Sequence, residues 1–198
     1  MDQEIDSVLN EFEQTETLYG TFKDRALALL IDSLILLPLA AVEWFNKTTW
    51  KSQPLLIIVF FIGLLYKPFC ELKYGATPGK MSMKLLVVNK CFLKVDFKEV
   101  LVRNIFDIIW RIFFFITTLL IFRNPEFVNV SSNHQFLELQ KNLIDMNPYL
   151  LVYSLLIIIE IIFLLTDKSK RALHDRMGET FVIKQPNNSL INPSVTGK

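Results

Sequence analysis

The stretch FKDRALALLIDSLILLPLAAV, residues 22–42, decides the fold of this chain. Its only ionisable residue between Ala26 and Val42 is Asp32. About 20 apolar residues in a helix are long enough to cross the hydrocarbon core of a bilayer, so a membrane-spanning helix is predicted here. A secretory signal peptide is the competing interpretation. It is excluded because the first 21 residues contain six acidic residues and no lysine or arginine.

Three further apolar runs have the length of a membrane span, at 54–72, 104–122 and 149–166. The 198 residues are 52% hydrophobic and include 17 phenylalanines, a composition unusual for a soluble protein. The sequence therefore predicts an all-α membrane protein with four transmembrane helices in one domain, 22–184. An acidic segment, 1–21, precedes this domain and is expected to lie on the membrane surface. A tail, 185–198, rich in proline, asparagine and serine, is predicted to be disordered.

Composition and cysteine spacing exclude several classes of function. The net charge is +1 and no basic tract alternates with aromatic residues, so nucleic-acid binding is not expected. Cys70 and Cys91 match neither a metal-binding spacing nor a disulfide framework, and both are predicted to be free thiols. No cofactor and no metal are expected. No nucleophile accompanies His174, so the chain is not predicted to be an enzyme.

Lysine and arginine are distributed unequally over the segments that connect the spans. If both termini lie on the same side, that side carries fourteen of these residues and the other side carries four. The positive-inside rule then places both termini in the cytoplasm of a multi-pass protein of the cell's inner membrane. The lipid bilayer is the first expected partner.

The longest basic connection, 73–103, is predicted to be structured. Thr77 before Pro78 is typical of a helix start, with a capping hydroxyl followed by proline. Two short strands, 84–88 and 92–97, are predicted to form a cytoplasmic hairpin, and a further strand follows Gly178 in the tail. Asp96 and Glu99 form a capping-box pattern. A surface helix is expected around 134–143, before the fourth span.

Charged residues inside the spans are the candidate functional residues. Arg25 and Asp32 lie on one helix face but about 10 Å apart along the axis, so each needs a partner from another helix. A second stripe is formed at four-residue spacing by Arg103, Asp107 and Arg111. Arg111 and Glu160 are predicted at a depth similar to that of Asp32.

Two interpretations of these charges remain open. If Arg111 bridges Asp32 and Glu160, one carboxylate stays poorly neutralised, which is typical of a proton- or cation-binding site. The alternative is a closed polar network that only holds the helices in register. Lys67 and Glu71 lie in the last turns of the second span, and Lys67 is expected to reach the membrane interface rather than to act in either role.

Several motifs resemble those of the RDD family of small membrane proteins, over roughly 20–184. The family is named for an arginine at the start of its first helix and two aspartates, and Arg25 and Asp32 match the first two. Its motif after the second helix is matched by Gly75, Thr77, Pro78, Gly79 and Lys80. Its closing motif is matched by Ala172, Leu173, His174 and Asp175. Either Asp107 or Asp175 is the second aspartate.

The resemblance implies a four-helix membrane architecture, with sodium/proton antiport suggested for some members. The leading hypothesis is therefore a small transporter or ion-coupled protein that uses the buried charges to bind monovalent cations or protons. Because four spans are few for a transporter, it requires a homo-oligomer. The alternative is a non-transporting scaffold for other membrane proteins. His174 and Asp175 are expected to cap a helix and to contact lipid headgroups.

Overall fold

The computed structural model describes residues 18–143 and 147–185. The acidic segment before residue 18 and the tail after residue 185 lie outside the described residues, together with the predictions made for them. The helices and strands follow in the order α1 Phe22–Phe45, α2 Gln53–Tyr74, α3 Pro78–Ser82, β1 Leu85–Asn89, α4 Phe97–Arg103, α5 Ile105–Phe122, α6 Asn133–Leu143, α7 Asn147–Thr166, α8 Leu173–Met177 and β2 Thr180–Lys184.

Four helices, α1, α2, α5 and α7, are long and apolar enough to cross a membrane, which confirms the prediction of an all-α membrane fold. A capping box between Thr21 and Asp24 starts α1. At its other end α1 runs directly into a π-helical turn, Asn46–Trp50, so the first span is longer than the predicted 22–42.

The loops at one end of the bundle form a small apolar core. A short 3₁₀ helix, Pro125–Asn129, and α6 cover the end of α5 there. Phe127, Phe136 and Leu139 are buried against Ile121 and Phe122. The predicted surface helix is confirmed as α6, and its apolar face packs on the bundle because Phe136 and Leu139 fall on that one face.

At the opposite end a two-stranded sheet packs against the short helices α3, α4 and α8; this end is here called the network side. β1 pairs with β2 in antiparallel register, with Val87 opposite Val182, and both of these side chains are fully buried. The sheet extends to the start of α1, because Gly20 N–H donates to the Val182 carbonyl at 2.9 Å.

The predicted hairpin of 84–88 with 92–97 is wrong, because β1 pairs with the tail strand instead. The Asn89 side chain accepts hydrogen bonds from the N–H groups of Cys91 and Leu93, which turns the chain. An isolated bridge between Val88 and Lys94 is what remains of the hairpin. Pairing with β2 is favoured because it buries Val182, an apolar side chain that a hairpin would leave exposed.

The predicted helix starts and free cysteines are confirmed. Thr77 caps α3 with Pro78 at its first position, and Asp96 and Glu99 form a capping box at α4. Both cysteines are free, Cys70 buried and Cys91 exposed.

The register of the sheet predicts one cross-link. In a protein whose native cysteines are replaced, Leu86→Cys with Ile183→Cys is expected to form a disulfide under mild oxidation, because these residues are directly opposite. Electrophoresis after thiol labelling measures it. The control pair Leu86→Cys with Phe181→Cys lies on the same face but two residues out of register. Equal cross-linking of the two pairs, or none of the first, would contradict this register.

Candidate functional site

Asp32, in the middle of α1, is enclosed by hydrogen-bond donors from α2 and α3. Its carboxylate accepts from the Tyr66 hydroxyl at 2.9 Å, the Thr77 hydroxyl at 2.5 Å and the Gly79 backbone N–H at 2.8 Å. The cap at Thr77 aims the start of α3 at this carboxylate. A side chain at position 79 is impossible without movement, since its Cβ would lie 2.1 Å from the Ala28 carbonyl oxygen.

A second cluster, here called the ionic network, holds two carboxylates and three cations on the network side. Arg103 lies at its centre, with its Nε 3.2 Å from Glu71 and its Nη1 2.9 Å from Asp175. Glu71, Arg103 and Asp175 are 0%, 2% and 0% exposed. Lys80 Nζ lies 2.5 Å from Glu71 Oε1, and Arg25 Nη1 lies 2.5 Å from Asp175 Oδ2. The network therefore joins α1, α2, α3, α4 and α8.

Asp175 is both a helix cap and an ion-pair partner. It accepts from the Ala172 N–H at the start of α8, while Arg25 also donates to the Lys170 carbonyl. Burial by itself raises the pKa of Asp175, but His174, Arg103 and Arg25 outweigh burial and hold this pKa well below its ordinary value. The carboxylate thus stays charged across the physiological pH range.

Lys80 behaves differently. Its pKa is lowered to about 8, mainly by burial; the attraction of Glu71 opposes this shift and the repulsion of Arg103 adds to it. The two cations around Glu71 thus compete for one carboxylate.

Glu160, near the end of α7, binds the first turn of α8. It lies 2.7 Å from His174 Nδ1 and accepts from the His174 backbone N–H at 3.2 Å. The other ring nitrogen of His174 is 3.2 Å from Asp175. His174 thus connects the fourth span to the ionic network, which goes beyond the predicted role in lipid contact.

A cavity of about 370 Å³ lies between α1, α2 and α5 and reaches Tyr153 of α7. Asp107 and Arg111 line it, one helical turn apart on α5. Asp107 pairs with Lys67 of α2 at 3.2 Å. Within 18–143 and 147–185, Arg111 makes no ion pair or hydrogen bond of its own.

The structure separates charges that the sequence analysis placed together. The predicted bridge from Arg111 to Asp32 and Glu160 is wrong, because Asp32 binds Tyr66, Thr77 and Gly79 and Glu160 binds His174. The predicted stripe is also interrupted, by a break at Asn104 that separates α4 from α5. Asp107 and Arg111 stay together on α5 and line the cavity, whereas Arg103, on α4, points into the ionic network.

The sequence analysis missed Glu71 as a site residue, and it placed Arg103 in a stripe with Asp107 and Arg111 rather than in the ionic network. Glu71, to which the sequence analysis gave no role, is fully buried beneath α3 and α4, with Arg103 and Lys80 as its partners. A signal did exist: the capping box at Asp96 indicates a separate helix before the third span, and Arg103 is in its last turn. Of the two candidates for the second aspartate, Asp175 is the one that contacts Arg25.

Comparison with known proteins adds one finding. The sequence model of the RDD family matches residues 19–179. This range includes Asp32 with its hydrogen-bond partners, the ionic network and the residues that line the cavity. No curated protein and no solved structure matches the chain.

Proposed function

The chain belongs to the RDD family of membrane proteins, and from this premise we propose that it is a small ion-coupled transporter, not an enzyme. The observation that carries the proposal is the cavity inside the bundle, lined by Asp107 and Arg111. Ionisable groups that face a cavity at membrane depth are typical of substrate and ion pathways. Its volume, about 370 Å³, is in the range of small-molecule sites.

The pair of Lys67 and Asp107 is the proposed coupling element. The two side chains are 32% and 38% exposed, unlike the buried carboxylates of the ionic network. Protonation of Asp107 removes the negative charge that attracts Lys67. We therefore expect the protonation state of this pair and the occupancy of the cavity to depend on each other. Asp32 and Glu71, each with several donors or cations, instead hold the helices together.

In this proposal both termini face the cytoplasm, as the positive-inside rule requires, and the ionic network lies on the cytoplasmic side. Because four spans enclose little volume, the proposed transporter is a homo-oligomer, with the path between or within its subunits. The apolar faces of α1 and α7 support this arrangement, since almost none of their residues is buried within the described chain.

The test is ion flux in sealed liposomes that contain the purified protein. After a sodium or potassium pulse, the internal pH is expected to change in vesicles with wild-type protein. Asp107→Asn is expected to reduce the rate at least tenfold, because it removes the group that binds the proton. The control Glu138→Gln, on the exposed face of α6, is expected to leave the rate unchanged. Equal rates for wild type and Asp107→Asn, or no flux in tight vesicles, would contradict the proposal.

A non-transporting scaffold is the second candidate. The observation that favours it is the closure of the ionic network, in which the carboxylates of Glu71 and Asp175 are each balanced by cations. In that case the network would only fix the cytoplasmic surface of helices and sheet to which other membrane proteins bind. Absence of flux in tight vesicles, with the protein folded, would favour this second candidate.

A further inference from the structure

Arg111 is a cation at membrane depth that forms no ion pair with a carboxylate of the described residues. It lies in the second turn of α5, about 9 Å from the start of that helix. Across the described ranges it forms neither a hydrogen bond nor an ion pair. Transfer of an unpaired arginine into a bilayer is costly, so its guanidinium requires a counter-charge from outside these ranges or from a ligand.

The acidic groups around the cavity supply this counter-charge only in part, because Asp107 attracts Arg111 one turn away but is shared with Lys67. On α1, Glu43 pairs with Lys47 at 2.6 Å. On α5, Asp107 pairs with Lys67 of α2 at 3.2 Å. Tyr153 of α7 contributes only a hydroxyl. With both carboxylates neutralised, the charged groups that line or adjoin the cavity sum to one positive charge, located on Arg111.

Apart from Thr118, the remaining wall of the cavity is apolar. Two leucines of α1, Leu36 and Leu39, face aromatic side chains of α2 and α5, including Phe60 and Trp110. Trp110 is also stacked on Tyr153, with ring centroids 4.3 Å apart. Such a wall accommodates the apolar body of a ligand.

We infer that the cavity binds the single oxyanion of a small amphiphile, a carboxylate or phosphate ester held by Arg111 with its apolar part against the aromatic wall. A guanidinium presents parallel N–H donors that match the two oxygens of such a group. The inference deepens the proposed function, because it names the substrate class of the same cavity. Binding does not require transport, so the two can fail separately.

Trp110 provides the readout, because it lines the cavity. With Trp44→Phe and Trp50→Phe, it is the remaining tryptophan of the 198 residues. Octanoate, titrated in a neutral detergent, is expected to change its fluorescence saturably, while octanol of equal length is not. In Arg111→Gln the half-saturating octanoate concentration is expected to rise at least tenfold. Arg111→Lys is expected to retain part of the binding, and the control Arg123→Gln, at the end of α5, all of it.

A second arm distinguishes a lipid headgroup from a free anion. In nanodiscs, phosphatidylglycerol with brominated chains is expected to quench Trp110 more than brominated phosphatidylcholine if a lipid supplies the oxyanion. This difference would disappear in Arg111→Gln. Binding of octanoate without this difference identifies a free anion.

The result that would overturn the inference is octanoate binding and lipid quenching that are both unaffected by Arg111→Gln in protein that melts like the wild type. If Arg111→Gln does not fold, equal responses of the wild type to octanoate and octanol would overturn it. Loss of ion flux with preserved octanoate binding would contradict the transporter alone.

Discussion

Replacement of Arg103 by alanine is expected to destabilise the protein by about 3–5 kcal/mol, the usual cost of removing one partner from a buried ion pair. Glu71 and Asp175 would both stay buried while losing the cation between them. Lys80 and Arg25 remain next to these carboxylates, but neither reaches both. Thermal unfolding in detergent, followed by tryptophan fluorescence, and the level of protein in membranes measure the effect.

Two variants make this result specific. Arg103→Lys keeps one positive charge but not the planar fork that faces two carboxylates, so an intermediate loss is expected. Arg123→Ala removes an exposed arginine at the end of α5 and is expected to change the free energy of unfolding by less than about 0.5 kcal/mol. A melting temperature of Arg103→Ala equal to that of Arg123→Ala would show that the ionic network does not hold the helices together.

The second large effect is expected for Gly79→Ala, a change of one methyl group. The new Cβ would lie 2.1 Å from the Ala28 carbonyl oxygen, a backbone atom, and 2.8 Å from Cγ of Asp32, whose carboxylate is held by three hydrogen bonds. α3 must therefore move away from α1, which breaks the hydrogen bonds of Asp32 with Gly79 and Thr77. Overpacking and a carboxylate that loses its donors together predict a loss of about 3–5 kcal/mol.

Gly63→Ala is the matched control, since Gly63 is also buried and lies inside a helix. Its new Cβ would meet the end of the Arg111 side chain at 3.2 Å, and that flexible side chain can move. Because alanine is more favourable than glycine inside a helix, the free energy of unfolding is expected to change by less than about 1 kcal/mol. The same thermal unfolding experiment compares the two variants. Similar melting temperatures would contradict the close contact between α1 and α3.

Much of the fold could be predicted because its signals are local. Length and hydropathy define the four spans, and the caps at Thr77 and Asp96 depend on residues within one turn. The bounds of the other three spans agree with the prediction within two residues, whereas the first span extends further, into its π-helical turn. The need of Arg25 and Asp32 for partners on other helices also followed from the sequence, since a charge at membrane depth requires compensation.

The partners themselves could not be predicted, because they depend on how each helix is rotated about its axis. One residue of shift turns a side chain by about 100°, so the break at Asn104 was sufficient to direct Arg103 and Arg111 to different places. The pairing of β1 with β2 was missed for a related reason. Local sequence signals favour a hairpin of β1 with the segment that follows it, but β1 pairs with the distant strand β2, whose Val182 is buried in that sheet.

The sequence by itself thus determined how many helices cross the membrane, where they start and which side chains carry charge, because these properties reside in short segments. Only the tertiary structure decided that Asp175 meets Arg25, 150 residues away, and that Arg111 faces a cavity. Such contacts join segments whose distance and orientation arise when the helices pack, and helix packing depends on all side chains of the interface together.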